Sequence, residues 1–285
     1  MPSHRIVRSI AAAGIIAAVA TLAACAPASD SPSDTSSESA EPTYVTEGKL
    51  TIATGEPAYY PYVIDDAPES GEGFESAVAY AVAEQLGFAE DDVVWVRTGF
   101  EEAIQPGPKS FDFNLQQFSI TPEREATVDF STPYYSTPQA IVTVAGTPAE
   151  GVTTIAGLKD VVIGAQTGTT SFTTAETVIQ PTSGVQAFNT NDDAKLALEN
   201  GSVDAIIVDL PTAFYLTGVE LTDGVLVGQL PASAGIGDEW GLLLDKDSSL
   251  TADVTNAVNA LREDGTLDEI ADQWLGTDAG APVLG

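Results

Sequence analysis

Ser119-Ile120-Thr121-Pro122-Glu123-Arg124-Glu125-Ala126-Thr127-Val128-Asp129-Phe130-Ser131-Thr132-Pro133-Tyr134-Tyr135 is the stretch on which the fold turns. Just before it, Phe111 to Phe118 alternates apolar and polar residues, which reads as a strand. Thr121 is a good helix N-cap, Pro122 suits the first helical position, and Glu123 suits the positive end of the helix dipole. Arg124 does not suit it, because a cation in the first turn opposes the macrodipole. A guanidinium beside free helix N–H groups makes a fork for a carboxylate. The alternative is a surface ion pair between Arg124 and one of many acids.

Working outward, strands and helices alternate. Leu50 to Thr54, Val93 to Val96, Ile141 to Val144, Val161 to Ala165, Val203 to Val208 and Gly241 to Leu244 read as strands. Phe74, Ala77, Val78, Ala81, Val82 and Leu86 sit at helical spacing, with Gly87 as the stop. Asp192 to Glu199 reads as a helix closed by Gly201, and Leu250, Val254, Val258 and Leu261 mark a long one ending at Gly265. Leu267, Ile270, Ala271 and Trp274 mark a last helix. The alternation implies an α/β fold with mostly parallel sheets. About 235 folded residues make one large domain or two of ordinary size, and no internal repeat is visible.

Ligands in such folds sit beyond the carboxyl ends of strands, so the strand-to-helix junctions are informative. At Gly164-Ala165-Gln166-Thr167-Gly168-Thr169-Thr170-Ser171 a strand runs into glycine and hydroxyl residues. Gly168 permits close backbone approach, and Thr170 offers a hydroxyl and an N–H to an anion. An ordinary threonine cap explains the same residues. It is not a P-loop, since the lysine is missing. At Val208-Asp209-Leu210-Pro211 an apolar strand ends in an acid, which either caps the next helix or pairs with a ligand ammonium. Tyr59, Tyr60 and Tyr62 cluster around Pro57 and Pro61, with Glu56 just upstream, and Phe100 follows the Val93 strand. Such aromatics either pack on the surface or form flat walls for a small ligand.

Composition narrows the chemistry. The 285 residues include 42 acids and 10 cations, for a net charge of −32. His4, Cys25 and Met1 are single occurrences, all within the first 25 residues. Without that segment, no histidine or thiol remains for Ser-His-Asp, Cys-His or zinc-histidine chemistry, and one cysteine forms no internal disulfide. Strong acidity opposes nucleic-acid binding. Hydrophobic content of 44% is ample for a core. Carboxylate chemistry, Ser/Thr chemistry and ligand binding stay open.

Met1 to Arg8 is short and positive, and Ile10 to Ala24 is an apolar run of 15 residues ending in Leu22-Ala23-Ala24-Cys25. That run is shorter than the roughly 20 residues of a membrane helix and fits a secretory h-region. Leu-Ala-Ala-Cys resembles a bacterial lipobox, which implies cleavage after residue 24 and acylation of the Cys25 thiol. An ordinary signal cleaved by the general peptidase is the alternative. Residues 25–47, rich in Ser, Pro, Asp and Glu, read as a flexible tether with a root-mean-square reach on the order of 25 Å.

In this order, LTIATGEPAYYPY, GFESAVAYAVAEQLGF, SITPEREATVDFSTPYY, VIGAQTGTTS, GSVDAIIVD and GDEWGLLLDKD resemble the solute-binding proteins of polar amino-acid ABC importers. The resemblance spans about Lys49 to Leu275 and is most specific in SITPER followed by VDFSTPYY. It implies a type II periplasmic-binding-protein-like fold: two α/β lobes joined by a two-strand hinge. Lobe I is expected at 48–136 and 238–276, lobe II at 137–237. Small residues at both crossovers, Ser136-Thr137-Pro138 and Ala234-Gly235-Ile236-Gly237, suit a hinge.

Carried over by position, the resemblance implies that Arg124 and Ser119 bind a ligand carboxylate, helped by Thr170 from lobe II, and that Asp209 receives the α-ammonium. Tyr59 matches a stacking aromatic, Phe100 falls near a second wall, and Glu56 falls where a side-chain-sensing acid is often placed. Gln117 replaces a residue that is commonly small. PGPKSFDFNLQQ departs from the usual pattern, which leaves the amino acid unspecified. The expectation is a monomeric, lipid-anchored binding protein on the outer face of a bacterial membrane, in a Gram-positive cell. It needs no cofactor or metal and passes its ligand to a membrane permease. The competing readings are a prephenate- or arogenate-dehydratase-like enzyme using a cleft carboxyl as general acid, and a ligand sensor.

Overall fold

Strand β1 (Leu50–Gly55) is buried along its whole length, as its run of apolar and small residues requires. The computed structural model describes residues 42–231, 238–276 and 281–285, all within the compact unit Ala40–Gly285. β1 lies parallel to β2 (Val93–Thr98) and β3 (Phe113–Asn114). Helix α1 (Phe74–Gln85) makes the crossover between β1 and β2. It buries Phe74, Val78, Ala79, Val82 and Ala83 in the core that also holds Leu50 and Ile52. Helices α7 (Thr251–Glu263) and α8 (Thr266–Trp274) join that core through Val254, Val258, Leu261 and Leu267.

Two five-stranded sheets share one plan. With β4 at Asp129–Phe130 and β12 at Leu243–Leu244, the first runs β2-β1-β3-β12-β4. The second uses β6 (Gln139–Val144), β7 (Ile163–Gln166), β8 (Val185–Phe188), β9 (Ala205–Asp209) and β10 (Gly224–Gln229), in the order β8-β7-β9-β6-β10. In each sheet one strand, β12 or β6, runs against its two neighbours. The alternation of elements thus yields a two-lobed α/β architecture, and the repeat that the sequence hides appears in the strand order. Between the sheets, β5 (Tyr135–Thr137) pairs antiparallel with β11 (Asp238–Trp240). Trp240 is fully buried there and packs on Tyr62, Tyr134 and Tyr135. The second expected crossover, Ala234 to Gly237, lies outside the described residues, as do the leader and Cys25.

Two local readings change. The strand expected over Phe111 to Phe118 is a ladder of only Phe113–Asn114. Asp112 turns its carboxylate back to accept the Thr51 and Val45 N–H groups at 2.6 and 2.8 Å, and Gln117 takes a left-handed φ of 50°. The end of the expected tether is also held. Thr43 N–H donates to Ser249 Oγ at 3.0 Å, and the Tyr44 ring meets Phe88 edge-on at 5.0 Å. On the other sheet, Leu284 is buried in the second core and Val283 bridges Gln229.

Candidate functional site

The turn after β3 and the short helix α3 (Pro122–Glu125) bring Arg124 inward. Thr121 caps that helix by accepting the Arg124 backbone N–H at 3.2 Å. The side chain then folds away from solvent and is only 7% exposed. Its Nη1 donates to the Ser119 carbonyl at 2.7 Å, and its Nη2 to the Gly168 carbonyl, on the other lobe, at 2.9 Å. The Phe100 ring, stacked on Phe118, lies 5.3 Å from the guanidinium carbon. Phe100 therefore acts as a cation–π floor for Arg124 as well as a wall. Burial lowers the Arg124 pKa, and Asp238 and Asp209 oppose that shift. The surface-ion-pair alternative fails.

The second lobe answers with two strand ends. After β7, Thr169 is the residue that caps helix α4 (Thr170–Thr174), accepting the Phe172 N–H at 3.1 Å. Thr170 is thereby free of capping, and its hydroxyl lies 3.2 Å from Ser119 Oγ on the first lobe. After β9, Asp209 occupies the N-cap position of helix α6 (Leu210–Tyr215) yet makes no side-chain cap bond. Its Oδ1 instead accepts from Gln139 Nε2 at 2.6 Å. Desolvation, reinforced by the charge of Asp238, holds the Asp209 carboxyl well above the usual range.

These side chains line one cavity of about 40 Å³ between the lobes. Tyr59, Phe100, Gln117, Ser119, Arg124, Thr170 and Asp209, all anticipated from sequence, are among its lining residues. Glu56 is not. It is exposed on the loop after β1, outside this lining. Gln117 is tied down by Glu75, which accepts both its backbone N–H, at 2.8 Å, and its side-chain amide. Buried Glu75 also accepts the Tyr134 hydroxyl, and desolvation pushes its pKa up to about 7.

The sequence reading missed Gln116, Gln166 and Asn191, which also line the cavity, and Gln139 and Asp238 behind it. Gln139 and Asp238 were legible in one respect only: each is polar at the start of a strand beside a crossover. Further toward solvent, a space of about 300 Å³ opens past Tyr59 and is bounded by Tyr60, Tyr62 and Tyr215. Here the lobes touch again: Tyr60 stacks on Tyr215 at 4.5 Å, and the Tyr62 hydroxyl meets Thr212 Oγ1 at 2.8 Å. The Thr190 hydroxyl and the Asp192 backbone reach the Tyr59 phenol, whose pKa burial raises to about 12.

Comparison with known proteins matches residues 50–277 to the model of the bacterial extracellular solute-binding proteins, family 3. The chain belongs to this family. An L-arginine-binding protein of Pseudomonas aeruginosa is 28% identical over 245 residues, spanning 83% of this chain and 92% of its own. The solved structure of an ancestral arginine-binding protein bound to glutamine is 29% identical, with a TM-score of 0.67 over 81% of this chain and all of that one. An ancestral amino acid-binding protein described as a precursor of cyclohexadienyl dehydratase is 27% identical, with a TM-score of 0.65 over 80% of this chain and 95% of its own. Family members are extracellular binding proteins, and these likenesses give the chain the two-lobed, type II binding-protein fold. The relatives are named for binding rather than for catalysis.

Proposed function

We propose that this solute-binding protein captures a polar amino acid as its zwitterion and delivers it to an ABC importer. One geometric relation supports the reading: Arg124 and Asp209, of opposite charge and from opposite lobes, line the same small cavity. A buried zwitterion is costly unless both charges are paired and hydrogen-bonded. A carboxylate on Arg124 would replace neutral carbonyls with a charged acceptor, with Ser119 and Thr170 beside it. An ammonium would neutralise Asp209. Tyr59 and Phe100 would flank the ligand, and Gln117 would present the end of its amide not held by Glu75. Because the partners come from both lobes, ligand favours the closed arrangement by differential affinity. Lobe I is assigned to 48–136 with 238–276 and lobe II to 137–237, and the protein acts as a monomer.

The test is a thermal-shift screen of the purified protein against all amino acids. Ligand that binds only the native state stabilises it by RT ln(1 + [L]/Kd), about 2.7 kcal/mol at a hundredfold excess over Kd. No shift with any amino acid at millimolar concentration would sink the reading. The dehydratase-like alternative requires turnover of prephenate or arogenate, which absorbance would report; none is expected.

The lipobox-like Leu22-Ala23-Ala24-Cys25 supports anchoring by lipid at the outer membrane face. Cys25→Ala is expected to appear in the medium or to accumulate as precursor. Normal processing with continued membrane retention rules the anchor out. The Pseudomonas relative is from a Gram-negative organism, so a Gram-positive source rests on the leader alone.

A further inference from the structure

Asp238 opens β11 behind the cavity lining and is 6% exposed. Gln139 Nε2 donates to Asp209 Oδ1 and also to Asp238 Oδ2, so one amide nitrogen bridges two carboxyl groups. The amide is held in that orientation by Ser171, whose hydroxyl donates to Gln139 Oε1 at 2.5 Å. Sharing one amide nitrogen brings the two carboxyl groups together in the same buried pocket of the protein. Ser119 and Thr170, one of the pairs that meet across the lobes, turn their hydroxyls toward Asp238.

The local charges do not balance. Arg124 is the only buried cation among the described residues, and two acids face it. Like charges in one dry site cannot both ionise without compensation. Around the pair stand Arg124 from α3, Gln139 from β6, Ser119 and Thr170, and beyond them the phenols of Tyr62 and Tyr134 with buried Glu75. None of these brings a second positive charge.

We propose that Asp238 is the second acid of the ammonium subsite, and that Asp209 and Asp238 share one proton which the ligand's ammonium displaces on binding. This rests on the amino-acid reading above. The O–H bond of the shared carboxyl breaks, its electron pair stays on oxygen, and the proton passes to solvent. The ammonium then donates to both acids in its place. Burial raises both acids, and their mutual repulsion adds to it. Binding that releases a proton strengthens as pH rises, by up to tenfold per pH unit while the pair still holds its proton, and levels off once it is ionised. Ligands with a carboxylate but no ammonium gain nothing from the exchange and are excluded.

The test is calorimetry on the full chain in detergent, with L-arginine and L-glutamine as probes, in buffers of differing ionisation enthalpy between about pH 5 and about pH 8. The expected result is close to one proton released per ligand at the lower end, with affinity at least about tenfold tighter at the upper end. Asp238→Asn keeps an oxygen for Gln139 and is expected to release no proton and to bind with a flat pH profile. Binding by the parent without proton release overturns the proposal, whatever the variant does. Undiminished release in Asp238→Asn overturns it too, since the proton then comes from another group such as Glu75. A parent that binds neither probe counts instead against the amino-acid reading, and the proposal falls with it.

Discussion

Arg124→Met is expected to weaken every amino-acid ligand by a similar factor, whatever its side chain. Removing one member of a buried, hydrogen-bonded charge pair costs on the order of 2–5 kcal/mol, or roughly 30- to 5000-fold in affinity. The geometry argues for the upper part of that range. The guanidinium is almost wholly buried, rests on Phe100 and spans both lobes through Ser119 and Gly168. Methionine fills comparable space but offers no donor and leaves Asp209 and Asp238 without their cation. Calorimetry with three ligands of different side-chain charge checks the result. If the variant binds the best ligand as tightly as the parent does, the carboxylate is held elsewhere.

The second large effect is on stability. Glu75 is buried with a pKa near 7 in place of an ordinary 4.5, and desolvation is the main cause. Its acid form is therefore favoured in the folded state. Folding stability is intact below the ordinary carboxylate pKa, is lost as pH rises from about 4.5 to about 7, and stays lost above that. The displacement corresponds to a loss of about 3 kcal/mol. Glu75→Gln carries no charge to desolvate. Its amide oxygen can accept from Tyr134 or from the Gln117 N–H. In urea titrations at about pH 5 and about pH 8, the parent is expected to lose about 3 kcal/mol more than the variant. Equal losses would mean that the three donors around Glu75 already stabilise its ionised form. Other buried acids act in both proteins and cancel in the comparison.

Both effects depend on residues that differ in how legible they are. Arg124 stood out because it violates a local rule, a cation in the first turn of a helix. Asp209 stood out because it ends an apolar strand. The structure resolves each ambiguity locally: Thr169 does the capping in place of Thr170, and Asp209 sits at an N-cap without capping. Glu56 shows the limit of positional reasoning. It lies three residues before Tyr59, yet it is exposed and outside the cavity lining that Tyr59 joins. Gln139, Asn191 and Asp238 meet the site only through tertiary packing; a polar residue opening a strand or helix is too common a local pattern to single them out. The alternation in Phe111 to Phe118 reflects burial on both sides of a turn rather than a long ladder, because Asp112 spends its carboxylate on neighbouring backbone.

The residues around Thr43 are fastened to the first lobe through Ser249, and Gly285 to the second, where its carbonyl accepts the Ile155 N–H at 3.0 Å. A donor dye near Thr43 and an acceptor dye at Gly285 would thus ride on different lobes, with neither touching the cleft. Energy transfer between them would turn the protein into an optical gauge of its own closure. The dye at Gly285 needs a short spacer, because the neighbouring Leu284 is 1% exposed and a rigid coupling there would pull on the second core.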